Sequence, residues 1–247
     1  MFEAYESIFN RRGEAYHQAM RLVPRARQSE FAHAIDPLRL EHGAVVCDAP
    51  SGGGYFADHL PAALDIRLVA VDPSEVFART WQDRRVEWHR APLNQLPLED
   101  SSVDALVSIA GMHHVDDRGA VFGEMRRVLR PGGRLCILEV PVGAITDEFL
   151  NGFVHTYNST GHEGRFVDDD FRADLAGAGF SVETDELCRY SWDFSSEDQM
   201  IEFIKLMFWL DKATPEIILG GVKDILGVSS DNGRCEMNWE LQRIVAG

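Results

Sequence analysis

No apolar run in this 247-residue chain approaches the length that spans a bilayer. The first twenty residues, MFEAYESIFNRRGEAYHQAM, lack the continuous apolar stretch of a secretory leader. A soluble, cytoplasmic protein with no membrane partner is therefore expected. Basic residues are outnumbered, 24 Lys and Arg against 40 Asp and Glu, leaving a formal net charge of -16. That balance works against attraction to phosphate backbones, so nucleic acid is not an expected partner. Cysteine is sparse: Cys47, Cys136, Cys188 and Cys235 lie far apart without a C-x-x-C pair, which points to reduced thiols packed as small apolar side chains. Neither a repeat nor a Pro-, Gly- or Ser-rich linker interrupts the chain, so residues 1–247 are read as a single domain. A homodimer is left open.

What is present is alternation. The runs AVVCDA, RLVAVD, VEWHRA, VDALVSIA and RLCILEVP are strand candidates separated by helix-like stretches, the pattern of a mostly parallel sheet with helices on both faces. The segment from Asp117 to Arg130 places Val121, Met125, Val128 and Leu129 on one helical stripe, and RPGGR is expected to end it in a turn. Residues 1–42 read as an N-terminal helical cap with aromatics at Phe2, Tyr5, Phe9 and Tyr16, either core staples or the underside of a lid. Residues 43–141 read as a cofactor-binding core. Residues 195–232 read as an apolar helical insert between the last two strands, the expected seat of substrate specificity.

The first strand leads into DAPSGGG, and three glycines there let the backbone pass close to a ligand while a following helix offers free N–H groups. The loop alone is also compatible with a bare tight turn. The second strand ends at Asp72, where a carboxylate can accept from both hydroxyls of a ribose; capping the helix that starts near Ser74 is its plainer role. Nicotinamide dinucleotides and S-adenosylmethionine share this geometry. Asp48, an anion ahead of the glycines, suits a ligand ammonium better than a pyrophosphate.

Taken in order, VVCDAPSGGG, LVAVDPSE, PLNQLPLEDSSVDALVSIAGMHHVDD and EMRRVLRPGGRLCILEV resemble the class I S-adenosylmethionine-dependent methyltransferases, nearest the quinone-biosynthesis C-methyltransferases. The resemblance implies a Rossmann-like α/β fold, with a seven-stranded, mostly parallel sheet and an antiparallel last strand. Substrate would lie above strands four and five, under a lid of N-terminal helices and a C-terminal helical insert. It implies S-adenosyl-L-methionine as cofactor and S-adenosyl-L-homocysteine as product. Asp48, Ala49, Ser51, Gly52 and Gly54 would hold the methionine portion, Asp72 the ribose and Pro73 the adenine, while Ala110 would offer its carbonyl to the ammonium. Two positions depart from the family pattern: Pro50 replaces the usual first loop glycine, and Pro92 stands where many relatives carry an aspartate for the adenine amino group. Adenine recognition would then fall to Leu93 N–H and Asn94.

Methyl transfer is an in-line displacement at an activated carbon, so alignment matters more than a catalytic triad. If a base is used, His113, His114, His155 and His162 are the candidates. Met112, His113, Tyr157, His162, Phe203 and Met207 are the expected contacts of a small, apolar or aromatic substrate, although helical packing accounts equally well for Phe203 and Met207. No metal is assigned: Asp168, Asp169 and Asp170 read as the start of a helix. Cyclisation or isomerisation on the same fold, and nicotinamide-dependent oxidoreduction, are the alternatives.

Overall fold

The computed structural model describes residues 5–79, 86–231 and 233–247; Phe2 lies outside them. The described strands are β1 (Val45–Asp48), β2 (Arg67–Asp72), β3 (Glu87–Arg90), β4 (Val103–Ile109), β5 (Leu129–Glu139), β6 (Val182–Phe194), β7 (Val228–Asp231) and β8 (Arg234–Ala246). They form one sheet in the order β3-β2-β1-β4-β5-β8-β6, with β7 pairing β8 from outside that path. Pairings from β3 through β5 are parallel, and those of β8 with β5, β6 and β7 are antiparallel. This is the Rossmann-like α/β arrangement, with eight strands rather than seven. The additional strand is β7, a four-residue hairpin partner of β8 that extends the end of the helical insert. SVETDEL and CRYSWDF are one continuous strand, because β8 is long enough to pair with both.

The described helices are α1 (Tyr5–Leu22), α2 (Gln28–Ile35), α3 (Glu75–Ala78), α4 (Arg118–Val128), α5 (Ile145–Asp147), α6 (His155–Tyr157), α7 (Asp169–Gly177), α8 (Glu197–Phe208) and α9 (Pro215–Gly221). Several starts are fixed by side-chain caps: Asp117 accepts from Ala120 N, Asp168 from Phe171 N, and Ser196 from Gln199 N. Asp168 therefore does what was expected of the DDD run. On one face of the sheet α4 and α7 bury Val121, Met125, Phe171 and Leu175 in a core with Leu106 and Ile137. The opposite core joins α1, α2, α8 and α9 to the sheet through Met20, Phe31, Phe203, Ile218 and Trp239.

Two local expectations give way. RPGGR is not a free turn: α4 stops at Val128, and residues 129–134 already belong to β5, whose register against β4 slips at Val103 and Ala105. Nor does an α-helix follow the glycine loop. Only a short 3-10 turn, Tyr55–His59, forms there, since Gly54 enters it with a left-handed backbone and Pro61 cannot extend it.

Candidate active site and cofactor cradle

In an open parallel sheet the ligand crevice lies where strand order reverses, beyond the carboxyl ends of the strands. Here that point falls between β1 and β4, and a cavity of about 940 Å3, counted with its open mouth, sits over it. Its floor is Asp48, Pro50, Ser51 and Gly52 from the loop after β1, then Ile109, Ala110 and Gly111 after β4. The loop is tied down by Ala49 N donating to Val107 O at 3.0 Å and Ser51 N to Val71 O at 3.0 Å. Pro50 follows a cis peptide, and its ring fills the space that a side chain at Gly111 would need, 2.4 Å from the position of a Cβ. Gly54 is required twice over: its φ is +72°, and a Cβ there would stand 2.0 Å from the Trp88 ring. The protein's own aromatics, rather than ligand space alone, thus account for this glycine.

The two strand-end aspartates differ. Asp48 is buried, and its Oδ2 has no hydrogen-bond partner; neither does Ser51 Oγ beside it in the same floor. Burial, with a further push from the charge of Asp72, holds the Asp48 carboxyl well above the usual carboxylate range. Asp72 is satisfied by the chain: Oδ2 accepts from Gly52 N at 2.7 Å and from the Tyr5 hydroxyl at 2.8 Å, and Oδ1 from Ser74 N at 2.8 Å. Burial pushes Asp72 up to about 7 despite those three donors. A ligand ammonium suits the first site, because it supplies the missing donor and counter-charge. A ribose at the second would share or displace the Tyr5 phenol. The residues present fit the methionine portion of the expected cofactor.

The roof comes from distant segments: Tyr5, Phe9, Arg12 and Tyr16 of α1, Arg27, Glu30 and Phe31 at α2, Leu150, His162, Trp192, Trp239, and Met207 and Phe208 of α8. The described N-terminal aromatics, Tyr5, Phe9 and Tyr16, line the cavity. Sequence reading missed the buried Arg27–Glu30 pair, in which Arg27 Nε donates to Glu30 Oε1 at 3.1 Å and Glu30 Oε2 accepts from Trp192 Nε1 at 3.1 Å. It also missed Trp239, whose buried Nε1 has no acceptor and whose ring stacks on Trp192 at 4.5 Å. The aromatic spacing of α1 and the expected contacts His162 and Met207 pointed towards this roof.

Of the expected site residues, Asp48, Ser51, Gly52, Ala110, His113, His114, His162 and Met207 line the cavity. The others do not. Ala49 and Met112 are buried in the core on the α4 and α7 side, as is Leu93, while Asn94 is exposed after β3. Gly54 lies behind the floor against Trp88, and Asp72 and Pro73 are buried beneath the roof. Phe203 packs on Trp192 and Phe194, and Tyr157 on Phe153. His155 is exposed, with Nδ1 at 2.7 Å from His162 O, so it braces the loop that carries His162. Apolar spacing marks burial without saying what is faced: Met112 falls in the core on the α4 and α7 side of the sheet, and Phe203 lies on the cavity side but packs behind its lining.

Residues 47–137 match the family described as "Methyltransferase domain". The chain carries a methyltransferase domain of the S-adenosylmethionine-dependent class. The chain is 38% identical over 120 residues to the ubiquinone/menaquinone biosynthesis C-methyltransferase UbiE of Rubrivivax gelatinosus, covering 47% of this chain and 46% of that protein. Methyltransferase GfsG of Streptomyces halstedii is 40% identical over 188 residues, 64% of this chain and 66% of its own length. The chain thus spans about half to two-thirds of the curated relatives it matches. Among solved structures, the cyclase SpnF superposes with a TM-score of 0.60 at 17% identity, covering 89% of this chain and 79% of that one, a likeness of fold.

Proposed function

We propose that this methyltransferase domain moves a methyl group from S-adenosylmethionine to a small, apolar or aromatic acceptor held beneath α1, α2 and α8. The observation that carries the reading is the pair of orphaned polar atoms, Asp48 Oδ2 and Ser51 Oγ, in the floor of a cavity that continues into an aromatic chamber. Bound S-adenosylmethionine supplies an activated methyl carbon. Asp48 and Ser51 would hold its ammonium, Ala110 would present a carbonyl, and Asp72 would take the ribose once Tyr5 yields. Trp192, Met207, Phe208 and Trp239 exclude water from the chamber and orient the acceptor, with the Trp239 indole N–H free to donate to an acceptor oxygen. Residues 1–42 and 195–232 act together as the lid.

Calorimetric binding of S-adenosylhomocysteine tests the cradle, and release of that product with a panel of phenolic and enolic acceptors tests transfer. Tight binding without turnover of any acceptor favours the second reading, a cyclisation or isomerisation on the same fold. That reading draws support from the Tyr5–Asp72 hydrogen bond, which already employs the ribose acceptor, and from the fold of the cyclase SpnF.

A further inference from the structure

Three imidazoles meet in the wall of the chamber. His113 and His114 occupy a 3-10 turn after β4, and His162 reaches them from the loop after α6. All three are buried, with ring centroids 4.1, 5.1 and 5.5 Å apart, and one ring nitrogen from each lies within 4.8 Å of the others.

Their tautomers are set from behind. The Asn151 side-chain oxygen accepts from Gly164 N at 2.8 Å, so it is an acceptor towards His162 Nδ1 at 3.0 Å as well. His162 Nδ1 therefore donates, and its lone pair is on Nε2. Glu139 accepts from Met112 N, His113 N and Val140 N, and His113 Nδ1 stands 2.7 Å from its Oε1. The proton again sits on Nδ1, and the lone pair of His113 is on Nε2. His114 adds a buried Nδ1 with no hydrogen-bond partner. Among the described residues no hydrogen bond joins one ring to another. A carboxylate or amide behind each of two rings, fixing the tautomer and leaving a bare nitrogen in front, is how metal-ligating histidines are held.

We propose that His113, His114 and His162 bind a divalent first-row transition ion such as Zn2+, with its remaining coordination positions open to the chamber. Three neutral imidazoles suit such an ion, and an open fourth position distinguishes a reactive site from a structural one. Nitrogens on one zinc lie about 3.3 Å apart at ordinary bond lengths, so the rings close on the ion by small side-chain rotations. Glu139 behind His113 supplies negative charge, and Arg12 in the same wall favours an anionic oxygen as the next ligand. In the proposed transfer reaction the ion would grip an enolate or phenolate acceptor; that role, unlike the site itself, rests on the methyl-transfer reading.

The test uses untagged full-length protein, stripped with a chelator and titrated with Co2+ while visible d–d bands are recorded. One saturable equivalent is expected, displaced by Zn2+. His162→Ala should abolish the bands, whereas His42→Ala, an exposed histidine remote from the cluster, should leave them intact. Asn151→Ala should weaken binding about tenfold to a hundredfold, with Asn151→Asp restoring it because it still accepts from the ring. Wild-type protein that is folded by circular dichroism and gives no saturable band overturns the site, as does an unchanged titration in His162→Ala. Binding of S-adenosylhomocysteine, measured in parallel, reports on the transfer reading alone, so retained cobalt bands without nucleoside binding keep the metal site and sink only the other proposal.

Discussion

Asp48 and Asp72 end neighbouring parallel strands, are equally inaccessible, and have opposite circumstances. Asp72 is consumed by its own chain, with two backbone donors and a phenol on its oxygens. Asp48 keeps an oxygen bare beside an equally bare serine. A buried carboxyl oxygen without a partner is costly, and one kept in the floor of a crevice is the observation behind the proposal that a ligand ammonium meets it there. Position on the fold makes both residues candidates for the proposed cofactor; their partners distinguish the one with a bare oxygen from the one whose oxygens are already engaged.

The largest effect is expected where Asp48 loses its charge. Asp48→Asn should weaken S-adenosylhomocysteine binding by about 1.5–3 kcal/mol, tenfold or more, while the melting temperature holds or rises because an unpaired buried acid is gone. Calorimetry and a thermal melt on one preparation check both halves, and undiminished affinity would remove Asp48 from the cradle. Gly54→Ala attacks the scaffold behind it: the Cβ collides with Trp88 at a positive φ, and a stability loss of about 2–3 kcal/mol by urea unfolding is expected.

A pH series separates the aspartates by linkage. The folded value of Asp72, about 7, lies above its unfolded value of about 3.9, so between them the native state holds a proton that the unfolded chain has lost. Stability therefore falls as pH rises through that window, by up to about 1.4 kcal/mol per unit for one group. Asp72→Asn should flatten its share of the slope; an unaltered urea midpoint profile would contradict the shift. Smallest and most direct is Tyr5→Phe, which makes Asp72 more like Asp48. A stability loss of about 1 kcal/mol should accompany a severalfold gain in S-adenosylhomocysteine affinity, since a competing donor is removed.

The parallel core was legible because each of β1, β2, β4 and β5 is a short apolar run followed by a polar or glycine-rich turn, and Asp48 and Asp72 sit where such runs must end. The missing helix after Gly54 was not, because a left-handed entry and a nearby proline act through backbone geometry that apolar patterning does not register. β7 has no apolar signature of its own and pairs only because β8 is long. The chamber was half legible: α1 announced itself by aromatic spacing, whereas the contact of His162 with His113 and His114 depends on a loop folding back across the 47 residues between His114 and His162.

The floor of the crevice is drawn from the segment that matches the family profile, but most of its ceiling is drawn from residues before 47 and after 137. Under the proposed methyl-transfer reading, substitutions at Phe9, Leu150, Trp192 or Met207 would recast which molecule is admitted while the glycine turn and its aspartate stay untouched. Grafting those flanks onto a related floor would, on that reading, carry the acceptor preference with them.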